Sequence, residues 1–105
     1  MKLIIPPECQ IGALKYSIRF NDWLLNKLDY KAHCSHKDQV IYLHTGLSPE
    51  GTFEDLIHEL YHISSWTSAH DLEENSIKGN ANCLTQALIS LGIEPDFSLI
   101  PEGKL

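Results

Sequence analysis

Apolar and polar residues alternate along the first half of the chain. In residues 13–20 an apolar side chain falls at every second position, with polar or charged side chains between. This period of two is typical of a strand with one buried face. Residues 30–34 and 39–44 flank the polar segment 35–38 and predict a hairpin, since the second run is rich in β-formers. Residues 23–28 fit a short helical turn or an irregular packed segment equally well. The first half therefore predicts a small sheet of about three strands.

The spacing of apolar residues changes in the second half. Ser48 followed by Pro49 is typical of a helix start, because a serine side chain accepts a hydrogen bond at the N-cap and proline suits the first helical position. Apolar residues then recur three or four positions apart and predict a helix that ends near residue 66. They form one arc of that helix: Phe53, Leu56, Ile57, Leu60 and Ile63.

A second helix is predicted after a short polar connector. Asp71 and Glu74 fit a capping box, in which the two residues satisfy each other's free backbone N–H groups. Gly92 stands where a C-cap glycine belongs, so the helix spans about residues 71–91. Because the connector is short, we expect the two helices to pack antiparallel. Residues 95–105 contain two prolines and a glycine, and we expect this tail to be loosely held.

The residues from His58 to His62 read His-Glu-Leu-Tyr-His, an H-E-x-x-H pattern inside the first predicted helix. Histidines four residues apart project from one helix face, so both imidazoles can converge on one metal ion. At about 100° per residue they lie on the order of 160° from the apolar arc, which places them away from the core. Glu59 projects to one side, where it can take a proton from a zinc-activated water that attacks a carbonyl.

A catalytic zinc site also needs a third protein ligand. The downstream candidates are His70, Asp71, Glu73 and Glu74. Glu74, in the first turn of the second helix, can reach the open side of the two imidazoles if the helices are antiparallel. We favour Glu74 as the third ligand. The alternatives are that Glu74 is only the glutamate of the capping box, or that its nearest competitor, Glu73, is the ligand. His70 follows the motif at a spacing that matches no H-E-x-x-H signature.

Other residues of chemical interest lie on the predicted hairpin and at the end of the first helix. His33, Cys34 and His36 have side chains that bind metals, but alternation along a strand sends neighbouring side chains to opposite faces. We therefore expect exposed hairpin residues there rather than a second metal site. Trp66 ends the apolar helix, and we expect it to shield the joint between the two helices.

Four segments carry a likeness to a known family: the strand Val40–Leu43, the helix start at residues 46–50, the motif at residues 56–62, and Leu72-Glu73-Glu74 leading into Ile77, Ala81 and Leu84. With these, residues 41–91 resemble the small zinc metallopeptidase-like proteins of the ImmA/IrrE type, closest to short single-domain versions encoded by phages and prophages. In that family a glutamate opening the second helix, three residues before an apolar or small residue, is the third zinc ligand. The resemblance thus implies Zn²⁺ bound by His58, His62 and Glu74, with Glu59 as general base.

Composition and charge narrow the possible partners. The chain has 105 residues, which suits a single domain over residues 1–105. With 14 acidic and 8 basic residues the net charge is −6, and the absence of a basic cluster argues against a nucleic-acid partner. No apolar run is long enough to predict a membrane span. Three scattered cysteines indicate reduced thiols and a cytoplasmic location, that of a bacterial host if the chain is phage-encoded.

Together these patterns predict an α+β fold of the minimal zincin type, a small N-terminal sheet followed by two packed helices that carry the metal site. The preferred function is a zinc-dependent metallopeptidase acting on a protein or peptide substrate. The alternative is a catalytically silent, zinc-stabilised binding module of phage or prophage origin, in which Glu59 is dispensable. In a third interpretation there is no metal, and His58 and His62 are exposed residues of an amphipathic helix. The patterns give no oligomeric state.

Overall fold

The computed structural model describes residues 1–68 and 72–102 of the chain. Within them the fold is α+β, with N-terminal strands in a sheet followed by two packed helices, as predicted. The described residues form four strands in the main N-terminal sheet, where about three were predicted, and two more in a small separate sheet, and the undecided segment after the first long strand is a short helix. In chain order the elements are β1 (Lys2–Ile4), β2 (Glu8–Ile11), β3 (Leu14–Phe20), α1 (Asp22–Leu28), β4 (Ala32–Ser35), β5 (Val40–Leu43), α2 (Pro49–Thr67), α3 (Glu74–Ser90) and β6 (Glu94–Asp96).

Four of the strands form a mixed sheet in the order β2-β3-β5-β4. Strand β3 pairs antiparallel with β2 and parallel with β5, while β5 pairs antiparallel with β4. The predicted hairpin is therefore confirmed as β4–β5, with Cys34 opposite Ile41. Strand β4 lies at an edge of this sheet, and helix α2 contacts both β4 and β5. This arrangement sets the H-E-x-x-H helix beside the edge strand.

The core lies between α2 and one face of the sheet. The alternation predicted in β3 is confirmed, because Tyr16 and Ile18 are 0% and 2% exposed, whereas Lys15 before them is exposed and Ser17 between them is half-buried. The apolar arc of α2 meets this face, with Leu60 only partly buried. Burial of apolar area is the main force that holds α2 on the sheet. The buried core contributed by β5 and α2 consists of Ile41, Leu43, Phe53, Leu56, Ile57 and Ile63.

Helix α3 runs back along α2. At its first residue, Glu74 lies beside His62 and His58, and further along Asn82 Nδ2 donates a 2.7 Å hydrogen bond to Glu54 Oε1. As residue numbers rise along α3, those of its partners on α2 fall, which confirms the antiparallel packing. Gly92 follows α3 with φ +95° and its N–H donates to the carbonyl of Ile89 at 3.0 Å, as expected of a C-cap glycine. No described helix has the length and apolar character that would be needed to cross a membrane.

The predicted capping box at the start of α3 is wrong. The N-cap position falls on Glu73, which makes no side-chain capping bond, and Glu74 is the first helical residue rather than the third after the cap. Asp71 lies outside the described residues. The physical reason is that the Glu74 carboxylate is engaged with two histidines of α2 and so does not turn back to a backbone N–H.

The expectation of a loosely held tail does not fit residues 95–102. Strand β6 pairs in parallel with β1, Ile100 is 7% exposed in the core, and the N–H of Phe20 donates to the carbonyl of Pro101 at 3.0 Å. Proline lacks an N–H, but it fits a strand that pairs on one side only. The prolines and the glycine predicted a loosely held tail, but the apolar side chains around Pro95 hold it in place. Ile93, Phe97 and Ile100 all pack on the core. Residues 103–105 lie outside the described part.

Candidate metal centre

The three predicted ligands come together at the junction of α2 and α3. His58 and His62 are one helical turn apart on α2, and Glu74 opens α3. The two Nε2 atoms lie 3.1 Å apart. Glu74 Oε1 is 2.9 Å from His58 Nε2, and Oε2 is 2.8 Å from His62 Nε2. Of the described residues, this is the group of His, Cys, Asp and Glu side chains whose ligand atoms all lie within 4.8 Å of one another.

The geometry of this triad fits a metal ion. Ligand atoms 2.0–2.1 Å from a tetrahedral zinc are about 3.3 Å from each other. The two Nε2 atoms are 3.1 Å apart, and with one Glu74 oxygen the three ligand atoms all lie within 4.8 Å of one another, which is close to this spacing. Two imidazoles and one carboxylate supply three ligands and leave a fourth position free, which faces solvent because His62 and Glu74 are 34% and 61% exposed. The triad is therefore placed to bind a metal ion.

The remaining candidates for the third ligand do not join this group. Glu73 is exposed at the N-cap of α3, one residue before the helix begins, and its carboxylate is not among the clustered ligand atoms. His70 and Asp71 lie outside the described residues. Of the two glutamates that the sequence offered as a third ligand, Glu74 is the one that lies with His58 and His62.

Glu59 lies next to the triad but is turned inward. It is only 6% exposed, although it follows His58 directly in the chain. Its pKa is raised from 4.5 to about 7: burial is the main cause, the charges of Glu74 and Asp55 add to it, and a hydrogen bond from the Cys34 side chain opposes it. A carboxyl group with a pKa near neutrality can both accept and release a proton under ordinary conditions, which is what a general acid–base group requires.

The hairpin residues are part of this site, contrary to the expectation that they are exposed. Cys34 is half-buried on β4 and hydrogen-bonds to Glu59. Burial, together with the charge of Glu59, raises the pKa of the Cys34 thiol to about 12, so the sulfur stays protonated and acts as a hydrogen-bond donor. His33 and His36 are also half-buried. The sequence alone did not reveal that these three residues line the site. Their position follows from the register of β4 on β5 and from the contact of β4 with α2.

A groove crosses the triad. On one side is a cleft of about 380 Å³, where the hairpin residues His33, Cys34 and His36 face the triad. On the other side is a recess of about 280 Å³, where Lys31, Asp55 and Lys78 contribute polar and charged walls. Both hollows are also lined by Ala32, His58, Glu59 and Glu74. A bound molecule can therefore extend past the ligand atoms in two directions.

Trp66 does not cover the helix joint as expected. It is 57% exposed and stacks on His36, with ring centroids 4.2 Å apart and an interplanar angle of 17°. The hydroxyl of Tyr16, which is fully buried, lies 3.1 Å from His36 Nδ1. The end of α2 is thereby joined to the β4–β5 turn, and the histidine that joins them also lines the cleft.

Comparisons of the chain with protein-family models, with curated proteins and with solved structures give no match. The resemblance to ImmA/IrrE-type proteins therefore stays a prediction carried by the motifs alone. The site itself rests on its geometry, which places three His and Glu residues of this chain to bind a metal ion.

Proposed function

We propose that the protein is a zinc-dependent peptidase in which His58, His62 and Glu74 hold the metal and Glu59 is the general base. The observation that carries the proposal is the pairing of two features in one cleft. A ligand triad with an open side stands beside a buried carboxyl group whose pKa is raised to about 7. A site that only held a metal would have no need of the second feature.

Each residue has a defined task in this proposal. Zinc held by the triad would supply the Lewis acidity that lowers the pKa of a water at the open position and polarises a carbonyl. Glu59 takes one proton from the attacking water and returns it to the leaving amine, so the carboxylate is regenerated at the end of the cycle. The Cys34 thiol, which hydrogen-bonds to Glu59, fixes the carboxyl group beside the cleft.

A second candidate function follows from the origin of the ligands. The triad joins two helices, since His58 and His62 lie on α2 and Glu74 lies on α3. A metal ion there would tie α2 to α3 and add its binding free energy to folding, whether or not hydrolysis occurs. A zinc-stabilised binding module would use the triad in this way without Glu59.

Glu59→Gln separates the two functions, with Glu50→Gln as matched control because Glu50 lies exposed in the first turn of the same helix. We expect about one zinc per chain in all three proteins by elemental mass spectrometry, as a single three-ligand site requires. A peptide library analysed by mass spectrometry should show cleavage by the wild type and by Glu50→Gln. Glu59→Gln should be slower by about 10²- to 10⁴-fold.

Three results would argue against the proposal in different ways. Cleavage by Glu59→Gln at the wild-type rate would exclude Glu59 as the base. Zinc-loaded wild type that cleaves no peptide, yet melts at a higher temperature than the metal-free form, would favour the binding module. A wild type that cannot be loaded with zinc would exclude both functions. It would favour the third interpretation, in which His58 and His62 are exposed residues of a helix that binds no metal.

A further inference from the structure

We propose that His36 and Trp66, here called the aromatic platform, bind an aromatic side chain of the ligand that occupies the metal centre. This inference rests on the proposed function and deepens it, because it assigns a chemical class to part of the substrate. The one-sided exposure of Trp66 and its stacking on a residue of the cleft carry the inference.

The position of Trp66 connects the platform to the metal ligands. His58, His62 and Trp66 follow one another at intervals of four residues in α2, so they lie along one face of the helix. Four residues correspond to about 6 Å along the helix axis. The indole therefore begins one turn beyond His62, which is within the reach of a side chain on a molecule bound at the triad.

His36 makes the platform continuous with the cleft. It lines the same hollow as His58, His62 and Glu74, and its ring stacks on the indole of Trp66. Its Nδ1 lies 3.1 Å from the hydroxyl of Tyr16, a residue that is 0% exposed. Because a buried residue fixes the imidazole, the platform is ordered in advance and a ligand loses little side-chain entropy on contact.

The chemistry of the surroundings favours an uncharged aromatic group. Beyond His36, Trp66 also borders a hollow of about 650 Å³ whose walls include Ile11 and Leu14. The indole is 57% exposed and stacks on His36 through one face, so the rest of its ring is available to stack on a ligand. Charged residues of both signs line the other recess at the triad, which His36 does not border: Lys31, Glu54, Asp55 and Lys78. The two directions of the groove thus differ, and the aromatic group belongs to the direction of Trp66.

Trp23 provides a matched control. It is the other tryptophan of the chain and is 52% exposed, close to the 57% of Trp66. It lies on α1, where Lys27 Nζ is 4.9 Å from its ring centroid. Neither tryptophan lines a hollow that borders the triad, but Trp66 stacks on His36 of the cleft, whereas Trp23 stacks on none of the described residues that line these hollows. Replacing Trp23 therefore removes a similar amount of exposed indole without touching the platform.

The test uses two zinc-chelating probes that differ only in the aromatic ring, N-acetyl-phenylalanine hydroxamate and N-acetyl-alanine hydroxamate. Calorimetric titration of the zinc-loaded protein gives the ratio of their affinities. In the wild type and in Trp23→Ala we expect the phenylalanine probe to bind about three- to tenfold more tightly, the range typical of one aromatic contact. Trp66→Ala should bring the ratio close to one, and Trp66→Phe, which keeps a ring, should retain part of the preference.

The outcomes distinguish failure of this inference from failure of the proposed function. If the ratio is the same in Trp66→Ala as in the wild type, or if the wild type shows no preference, the platform is not the aromatic subsite and the metal centre is unaffected. If zinc-loaded wild type binds neither hydroxamate, the bound zinc has no open position for a ligand, and both the proposed peptidase function and the platform are refuted. Because Trp66 is exposed, we expect its variants to fold, and circular dichroism of each variant checks this.

Discussion

The two long helices of this protein begin in different ways. At the start of α2 the Ser48 hydroxyl oxygen accepts a 3.1 Å hydrogen bond from the Gly51 N–H, and Pro49 follows. At the start of α3 Glu73 occupies the N-cap without a capping bond, and Glu74 turns its carboxylate to His58 and His62. The first start is stabilised by its own sequence neighbours, and the second depends on another helix.

This difference separates residues that stabilise a helix from residues that build a site. A cap such as Ser48 satisfies orphan backbone N–H groups and contributes free energy to the helix that carries it. Glu74 has the right charge for a helix N-terminus, but its oxygens meet imidazole nitrogens instead. A helix start that gives up local capping for a distant contact indicates a functional demand on that residue.

The largest expected effect comes from Glu74→Gln compared with Glu73→Gln. A neutral amide is a poor metal ligand, so we expect Glu74→Gln to lower the affinity for zinc at least about 100-fold, at or beyond the upper range for outer-shell partners. Glu73 neighbours Glu74 but is not in the triad, and its amide variant should bind zinc nearly as the wild type does. Competition with a chromophoric chelator measures both affinities. Equal losses in the two variants would contradict the assignment.

The next largest effect is expected at the start of α2, where Ser48 caps the helix. Ser48→Ala removes the only side-chain acceptor that α2 shows at its N-cap and should cost about 1 kcal/mol of unfolding free energy. Urea unfolding of the metal-free protein measures this cost. The zinc affinity should stay within twofold of the wild type, since Ser48 lies far along the helix from the ligands. A large loss of zinc affinity would show that the two helix starts are coupled.

A smaller gain is expected where a cap is missing. Glu73→Ser places a good capping residue at the N-cap of α3, which has no side-chain cap in the wild type. We expect metal-free Glu73→Ser to be more stable by about 0.5 kcal/mol in urea unfolding, because one orphan N–H gains an acceptor. A loss of stability would indicate that Glu73 contributes by its charge instead.

The smallest effect concerns α1, whose start combines both modes. Asn21 accepts a 3.1 Å hydrogen bond from the Leu24 N–H, while Asp22 accepts bonds from the Thr45 hydroxyl and N–H and lies 3.0 Å from His44 Nδ1. The hydrogen bonds from Thr45 lower the pKa of Asp22 below 3.8. The stability that Asp22 contributes is therefore present above about pH 4 and is lost as the pH falls through the lowered pKa.

The measurement for Asp22 is the unfolding free energy of wild type and Asp22→Asn at about pH 6 and about pH 3. Because the side chain is 42% exposed, we expect a difference between the two proteins below about 0.5 kcal/mol at the higher pH. This difference should shrink at the lower pH. A difference that is constant with pH would mean that the charge of Asp22 does not contribute.

Much of the fold could be read from periodicity. The alternation in β3, the β4–β5 hairpin, the start of α2 and the glycine after α3 all follow local rules, and the structure confirms them. The spacing of His58 and His62 also named two candidate ligands, whereas the third stayed open between Glu74 and Glu73 until the resemblance to ImmA/IrrE-type proteins favoured Glu74. These features depend on residues that are close in sequence or on one simple packing step.

What could not be predicted depends on contacts between distant residues. The pairing of β6 with β1 joins the two extremes of the described chain, and no local pattern signals it. The contact of Cys34 with Glu59 needs both the sheet register and the rotation of α2 on the sheet. The stacking of Trp66 on His36 likewise needs the β4–β5 turn to reach the end of α2. Local composition describes none of these placements.

The pairing of β1 with β6 also bears on the order in which the molecule folds. Lys2 lies opposite Glu94, whereas His62 and Glu74 are close in sequence. Closing the longer loop costs roughly 2 kcal/mol more chain entropy if each loop closes independently. We therefore expect the helix pair to form early and the small two-stranded sheet to form late and exchange its amide protons first. His58, His62 and Glu74 would then be close to one another before β1 pairs with β6.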